Sequence, residues 1–436
     1  MSNNIASATA TMKVWRVRVL TTTWLSYAGF YFCRKNFSIA KSSIIDALQI
    51  SKSEVAHIFT AYLVAYMLGQ FLTGILGRKY ATRILLLGGM GLSIICNIVF
   101  GFAYLTGPAG YWPLVIFMVI NGFAQATGWA GNVGVLGNWL ERKGRGKVMA
   151  WWATCYQLGS VLAKSFAALM LGVAGAAWSF WGASIVLFGI WIAFYLFQRD
   201  KPEDVGLDPI VEEVEVEASP EEVAAAAATN KEGLFAGWTR NTILSVFLMG
   251  SCYFSFKFLR YALDSWSPLA GEEIFSLSNA NAGYVSTAFD WVGFLGVLVS
   301  GWASDKFFRG RRHQTILLMT IGMAGSFIFL AVLGMQSVWL FAIGLALCGF
   351  MLMGPDSLLS GVGAIDVGGK NAAILAAAII NGLGSIGPIF QEEIIGYTID
   401  NYGYEASFNL MIGISFIAIL GVAYLSHRSK KGLSSL

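Results

Sequence analysis

Twelve stretches of mostly apolar residues punctuate the chain, at 17–40, 56–77, 84–104, 112–136, 148–173, 178–198, 241–268, 281–304, 314–334, 337–361, 371–397 and 405–426. A helix needs about 20 such residues to cross a bilayer core of about 30 Å. Each stretch therefore predicts one spanning helix. Glycine and proline interrupt many of them, which a membrane tolerates where neighbouring helices satisfy the freed backbone groups. The longest polar segment is 199–240, with Glu212, Glu213, Glu215, Glu217, Glu221 and Glu222 followed by Ala224–Ala228. It reads as a flexible or partly helical acidic linker. The expected fold is all-α: a six-helix bundle over 1–198, the linker over 199–240, and a second six-helix bundle over 241–436.

Composition supports lipid as the surrounding solvent. The chain is 56% hydrophobic and 12% charged, against about 25% charged in soluble domains. A net charge of +4 with no basic stripe argues against nucleic acid. Cys33, Cys96, Cys155, Cys252 and Cys348 all fall inside apolar stretches and read as buried thiols. No metal spacing and no nucleophile–base pair is evident, so neither a metal, a cofactor nor an enzymatic activity is expected. The N-terminus is polar through Thr11 and shows no short apolar segment of the kind that precedes a signal cleavage site.

Lysine and arginine set the expected orientation. With both termini inside, inner segments hold 22 of the 29 basic residues, and outer loops hold Lys41 and Lys52. The other five, Arg34, Lys35, Lys164, Lys257 and Arg260, lie within spanning stretches. The halves also repeat. Arg34 precedes Gly74 by 40 residues and Arg260 precedes Gly301 by 41; each glycine opens a short basic loop. Parallel repeats of this kind place a substrate site near the midplane, between the halves.

A charge at bilayer depth costs about 2.5–3.5 kcal/mol on insertion scales, so it faces a wet cavity or a partner. The first helix carries Tyr27, Tyr31 and Arg34, and the seventh carries Tyr253, Lys257 and Arg260 at the same spacing, with Asp264 one turn on. Each set lies along one helix face, and the two faces are expected to meet across a central cavity. Two guanidiniums aimed at one point suit a compact dianion such as phosphate. The plainer alternative is an internal Arg260–Asp264 bridge, with Arg34 reaching an interface. Lys35, pointing about 100° from Arg34, is a candidate binding residue that reads as a charge behind the ligands or at the rim. Lys164 either lines the cavity or reaches an acid of the other half. Asp290 is expected to neutralise Lys257 or Arg260, or to carry a proton. Asp356, Glu392 and Glu393 read as capping or gating groups near helix ends. Gln125, Trp129 and Tyr156 are candidate cavity residues. Arg78, Asp305 and Lys306 are candidate gate braces.

Several segments together resemble the organophosphate:phosphate antiporter family of the major facilitator superfamily, along nearly the whole chain: YFCRKNFSIA (31–40), NGFAQATGW (121–129), FLRYALDSWSP (258–268), FDWVG (289–293), GWASDKFFRG (301–310) and GYTIDNYG (396–403). The resemblance implies a carrier of twelve helices in two pseudo-symmetric bundles, and the compact loops favour an inner membrane. It implies phosphate held by Arg34 and Arg260, with Tyr27 and Tyr31 on the binding face. It also implies exchange of an organophosphate for inorganic phosphate by a monomer. LGNWLERKGRGKVM (136–149) is similar to the sugar-phosphate exchanger branch and favours a hexose phosphate over glycerol 3-phosphate. Departures fall around the organic part of the substrate: Ala130-Gly131 replaces a proline pair, Tyr156 a histidine, and Gln70 a lysine. The rival expectations are a proton-coupled organic-anion symporter using Asp264 or Asp290, and a transporter-like sugar-phosphate sensor.

Overall fold

The computed structural model describes residues 2–77, 79–140, 145–210, 238–308, 311–360, 362–434 and 436, and among these it contains helices and no strand. The helices are α1 (Ser2–Ile39), α2 (Lys41–Leu48), α3 (Lys52–Leu76), α4 (Thr82–Leu105), α5 (Tyr111–Trp139), α6 (Arg145–Trp152), α7 (Thr154–Ala174), α8 (Ala176–Phe197), α9 (Arg240–Phe275), α10 (Asn279–Lys306), α11 (Arg312–Val332), α12 (Val338–Ser360) and α13 (Val362–Lys430). Residues 211–237 of the acidic linker lie outside the described residues.

Ten helical segments among the described residues are long and apolar enough to cross a membrane. α1, which carries Arg34 and Lys35, falls outside that set on composition, and α13 contributes two crossings. Were α13 straight, Gly384 and Gly421 would lie about 55 Å apart at 1.5 Å per residue. Yet a Cβ on Gly384 would meet Tyr253 at 2.3 Å, and one on Gly421 would meet Cys252 at 2.7 Å. Those targets are adjacent residues of α9, so α13 doubles back on itself. Gly403, at φ +77°, supplies the left-handed backbone that only glycine adopts without steric cost. The twelve spans expected from the sequence are thus all accounted for. The fifth is interrupted at Ala153, between α6 and α7, and the seventh continues through Pro268 to Phe275.

α1 packs on α7 and α8, and α3, α4 and α5 complete the first bundle; α9 packs on α13, and α10, α11 and α12 complete the second. The bundles meet where α1 faces α9, α3 faces α13 and α7 faces α10. Small residues permit the close approach: a Cβ at Gly283 of α10 would lie 2.9 Å from Ala168 Cβ of α7.

Most polar contacts between bundles gather at one end. Lys52 pairs with Glu273 at 3.0 Å and His57 with Glu393 at 2.7 Å. Ser53 Oγ donates to Asp400 at 2.6 Å, and Ser42 Oγ to Glu272 at 2.7 Å. Lys41 was expected in an exposed loop. It opens α2 instead, is fully buried, and pairs with the equally buried Glu392 at 2.6 Å. Trp266 lies 3.6 Å beneath its ammonium and donates to Glu392 at 3.1 Å. Glu392 is therefore the buried partner of a cation, rather than a helix cap.

At the opposite end the described contacts stay within one bundle. Arg83 N donates to Asp200 at 3.1 Å, and Arg312 pairs with Asp305 at 2.5 Å. The Lys306 ammonium rests over the Trp302 ring at 4.9 Å. Asp305 therefore ties α10 to α11, Lys306 stays against its own helix, and among the described residues neither contacts the other half in this conformation. Arg78 lies outside the described residues.

Candidate functional site

A cavity lies where the two bundles face each other. α1 contributes Tyr31, Arg34, Lys35 and Ser38; α3 contributes Phe59, Tyr62, Leu63 and Tyr66; α9 contributes Arg260, Tyr261, Asp264 and Ser265. The two arginines expected from the helical spacing thus line a single chamber, one from each half. Tyr62 and Tyr66 were missed in the sequence. Their signal was a pair of tyrosines four apart in mid-span, the same spacing that singled out Tyr27 and Tyr31. Tyr261 and Ser265 stand next to Arg260 and Asp264, whose charges are the stronger signal, and Ser38, between Phe37 and Ile39, carries no signal in the sequence.

Arg34 is held from three sides. Its Nε donates to Gln125 Oε1 at 3.2 Å, and its guanidinium lies 4.9 Å from the rings of both Tyr31 and Tyr66. Gln125 is fully buried and is itself fixed, donating to the Phe30 carbonyl at 3.0 Å and to Ser93 at 3.3 Å. Gln125 thus orients an arginine and stays off the cavity lining. Arg34 Nη2 is buried and has no hydrogen-bond partner among the described residues. Tyr62 Oη is in the same condition. A buried donor without an acceptor is costly, and both of these belong to residues that line the chamber.

Arg260 has a carboxylate, but it is neither Asp264 nor Asp290. Its Nη1 pairs with Asp356 of α12 at 3.2 Å. Asp356, expected to cap a helix, is the local counter-charge inside the second bundle. Asp264 lies one turn further along α9, towards the end sealed by α2, and meets Lys35 of α1 and Lys164 of α7, the latter at 2.6 Å. Lys164 is fully buried and also reaches Asp290 of α10 at 2.7 Å; Ser160 adds a hydrogen bond to Asp290 at 3.1 Å. The expectation that Asp290 neutralises Lys257 or Arg260 is overturned, because the α7–α10 contact puts Lys164 directly against it. The alternative of an internal Arg260–Asp264 bridge fails for the same reason. Lys164 does reach acids of the other half, which was one of its two expected roles.

The remaining candidates sit around the chamber. Tyr27 stacks edge-on with Tyr31 and Trp129 at 5.6 and 5.2 Å, and Tyr156 lies 6.5 Å from Trp129. These form an aromatic wall beside the lining. Tyr253 is buried under Lys257, whose ammonium is 5.1 Å from its ring. Lys257 Nζ donates to Asn381 Oδ1 at 2.7 Å and Ser385 Oγ at 2.9 Å, both neutral groups.

These contacts define a charge balance. Around the chamber, the described side chains include five cations (Arg34, Lys35, Lys164, Lys257 and Arg260) and three acids (Asp264, Asp290 and Asp356). Every acid is engaged by a lysine or arginine. Two positive charges are left over, and among the described residues the two of these cations that form no ion pair are Arg34 and Lys257.

The sequence pattern of the Major Facilitator Superfamily matches residues 23–355 and again 258–435, the second match covering the second half of the repeat. Relatives of known description align end to end. The chain is 29% identical to "Membrane sensor protein UhpC" of Escherichia coli (strain K12), over 94% of this chain and 93% of that one. It is 29% identical to "Glycerol-3-phosphate transporter" of Bacillus subtilis (strain 168), over 97% and 95%. It is 28% identical to "Probable hexose phosphate transport protein" of Chlamydia muridarum, over 94% and 90%. The fold agrees with a crystal structure of a D-xylose-proton symporter at a TM-score of 0.69 and 16% identity, covering 93% and 96% of the two chains. Doubled sequence pattern, twelve spans in two facing bundles and full-length relatives agree: the chain belongs to the Major Facilitator Superfamily, within its organophosphate:phosphate antiporter family.

Proposed function

We propose that the chain is a secondary active transporter that exchanges a phosphorylated sugar for inorganic phosphate by alternating access. The observation that carries this reading is the surplus of two positive charges around a chamber lined by one arginine from each bundle. A phosphate monoester carries close to two negative charges at neutral pH, so it balances the chamber. Arg34 and Arg260 take the phosphate oxygens, with Tyr27 and Tyr31 on the binding face. Tyr253, Lys257 and Lys35 complete the cationic and phenolic surround, Gln125 sets the direction of Arg34, and Tyr156 bounds the organic part. Hexose phosphate is the favoured guest and glycerol 3-phosphate the smaller candidate, after the two relatives that carry those names.

The mechanism follows from the cost of burying unpaired charge. With the chamber empty, closing the second end would seal two uncompensated cations away from water. A bound dianion removes that penalty, so the bundles exchange states with an anion aboard. Ligand shifts such an equilibrium only through its different affinity for the two states, and here the difference is supplied by closure of both arginines. The ion pairs at the α2 end hold one side shut. With both termini cytoplasmic, as the basic loops favour, that is the outer side of the inner membrane, and the chamber faces inward. Arg78, Asp305 and Lys306 are proposed to brace the other side when it closes, with the 199–240 segment linking the bundles and a monomer as the working unit. Asp264 and Asp290 are both ion-paired with lysines, which favours exchange over proton-coupled symport.

A second reading is favoured by the sensor relative: binding of the same guest without net transport. Proteoliposomes loaded with radiolabelled phosphate and diluted into external glucose 6-phosphate or glycerol 3-phosphate separate the two. Phosphate efflux that requires an external sugar phosphate supports exchange. Saturable binding with no efflux supports the sensor, and efflux that follows a pH gradient without counter-substrate supports the symporter.

A further inference from the structure

We infer that Lys257 sets the charge of the accepted guest, making the chamber prefer a doubly charged anion over a singly charged one of the same shape. This rests on the anion-exchange reading above. The other lysines at this depth are committed: Lys35 to Asp264, Lys164 to Asp264 and Asp290, and Lys41, at the start of α2, to Glu392. Among the described residues, Lys257 alone of these lysines meets neutral oxygens only, those of Asn381 and Ser385. An ammonium has three hydrogens, so two fixed bonds leave one for a guest. Those two bonds also fix the stem, so the charge has a defined place.

That place lies beside the chamber and not in its lining, which starts on α9 at Arg260. Lys257 precedes Arg260 by three residues, about 4.5 Å along the axis, on the face that carries Tyr253 and Arg260. The charged groups that act on it through space are Asp356 and Arg260, which already pair with each other. The Arg260–Asp356 pair is neutral overall, so the second bundle's contribution to the potential at the phosphate seat comes mainly from Lys257. Arg34 provides the equivalent single charge from the first bundle. A dianion gains twice what a monoanion gains from each of them. Removing Lys257 therefore costs the dianion one further unit of attraction, and discrimination between the two charge states falls.

The test compares glucose 6-phosphate with glucose 6-sulfate, which carries one negative charge at every working pH, as inhibitors of phosphate self-exchange in proteoliposomes. At about pH 7.5 a phosphate monoester, with its second pKa near 6, is mostly dianionic. Wild type is expected to favour the phosphate. Lys257→Gln is expected to lower the ratio of the two inhibition constants on the order of tenfold, as for one charge several ångströms from the guest in a partly screened site. Lys257→Arg should keep the ratio within about threefold of wild type, since the charge is retained. An unchanged ratio in Lys257→Gln overturns the proposal. Where Lys257→Gln is inactive, the same ratio is read from thermal-shift titrations of the purified protein with the two ligands, and equality with wild type overturns it there too. Failure of wild type itself to exchange phosphate would refute the transport reading, while the binding ratio would still decide the role of Lys257.

Discussion

Replacing Arg34 with lysine separates geometry from charge. The substitution keeps the surplus of two positive charges, so the electrostatic balance is unchanged. What it removes is the planar fork. In the native protein Nε is tied to Gln125 at 3.2 Å and the guanidinium is sandwiched between Tyr31 and Tyr66, both rings at 4.9 Å. That arrangement leaves Nη2 without a hydrogen-bond partner among the described residues. A lysine ammonium is a point donor. If it satisfies Gln125 it loses reach to the guest, and if it follows the guest it abandons Gln125. One to two charge-assisted hydrogen bonds are lost, each about 1.5–3 kcal/mol. At about 1.4 kcal/mol per decade of rate, a deficit of about 2–4 kcal/mol predicts a fall in exchange of roughly 30-fold to 1000-fold. The assay is efflux of labelled phosphate driven by external sugar phosphate, with monodispersity and helical circular dichroism confirming an intact protein. Exchange within about threefold of wild type would refute the guanidinium clamp.

Two further outcomes follow from the contacts between bundles. Lys164→Met leaves Asp290 without a cation and is expected to lower the thermal midpoint in detergent, because stripping one partner from a buried pair costs about 3–5 kcal/mol. Lys164→Met/Asp290→Asn should recover most of that loss, and a double variant no more stable than Lys164→Met would contradict the pairing. Ser53→Cys/Asp400→Cys places two thiols where a 2.6 Å hydrogen bond now joins α3 to α13. Oxidation should stop exchange and reductant should restore it, with little background from the five native cysteines, all buried. Undiminished exchange after complete cross-linking would show that this end need not open.

Much of the protein is written in its one-dimensional pattern. Twelve apolar stretches dictate twelve spans, because a bilayer leaves a helix no other way to satisfy its backbone. The arginines of α1 and α9 were legible as chamber residues because a charge in a span is expensive and a 3.6-residue period fixes its face. Their meeting followed from the repeat. The partners of those charges were not legible. Asp264 serves Lys35 and Lys164 rather than Arg260, four residues away, and Asp290 serves Lys164; Lys41, apparently in a loop, is buried against Glu392, 351 residues on. Tyr62 and Tyr66 enter the chamber only because α3 packs where it does. Spacing along a helix reports which side chains share a face, and the bilayer sets which segments span. Pairing between helices depends on rotation, depth and tilt, which follow from side-chain packing across the interface, and only the assembled bundles settle these.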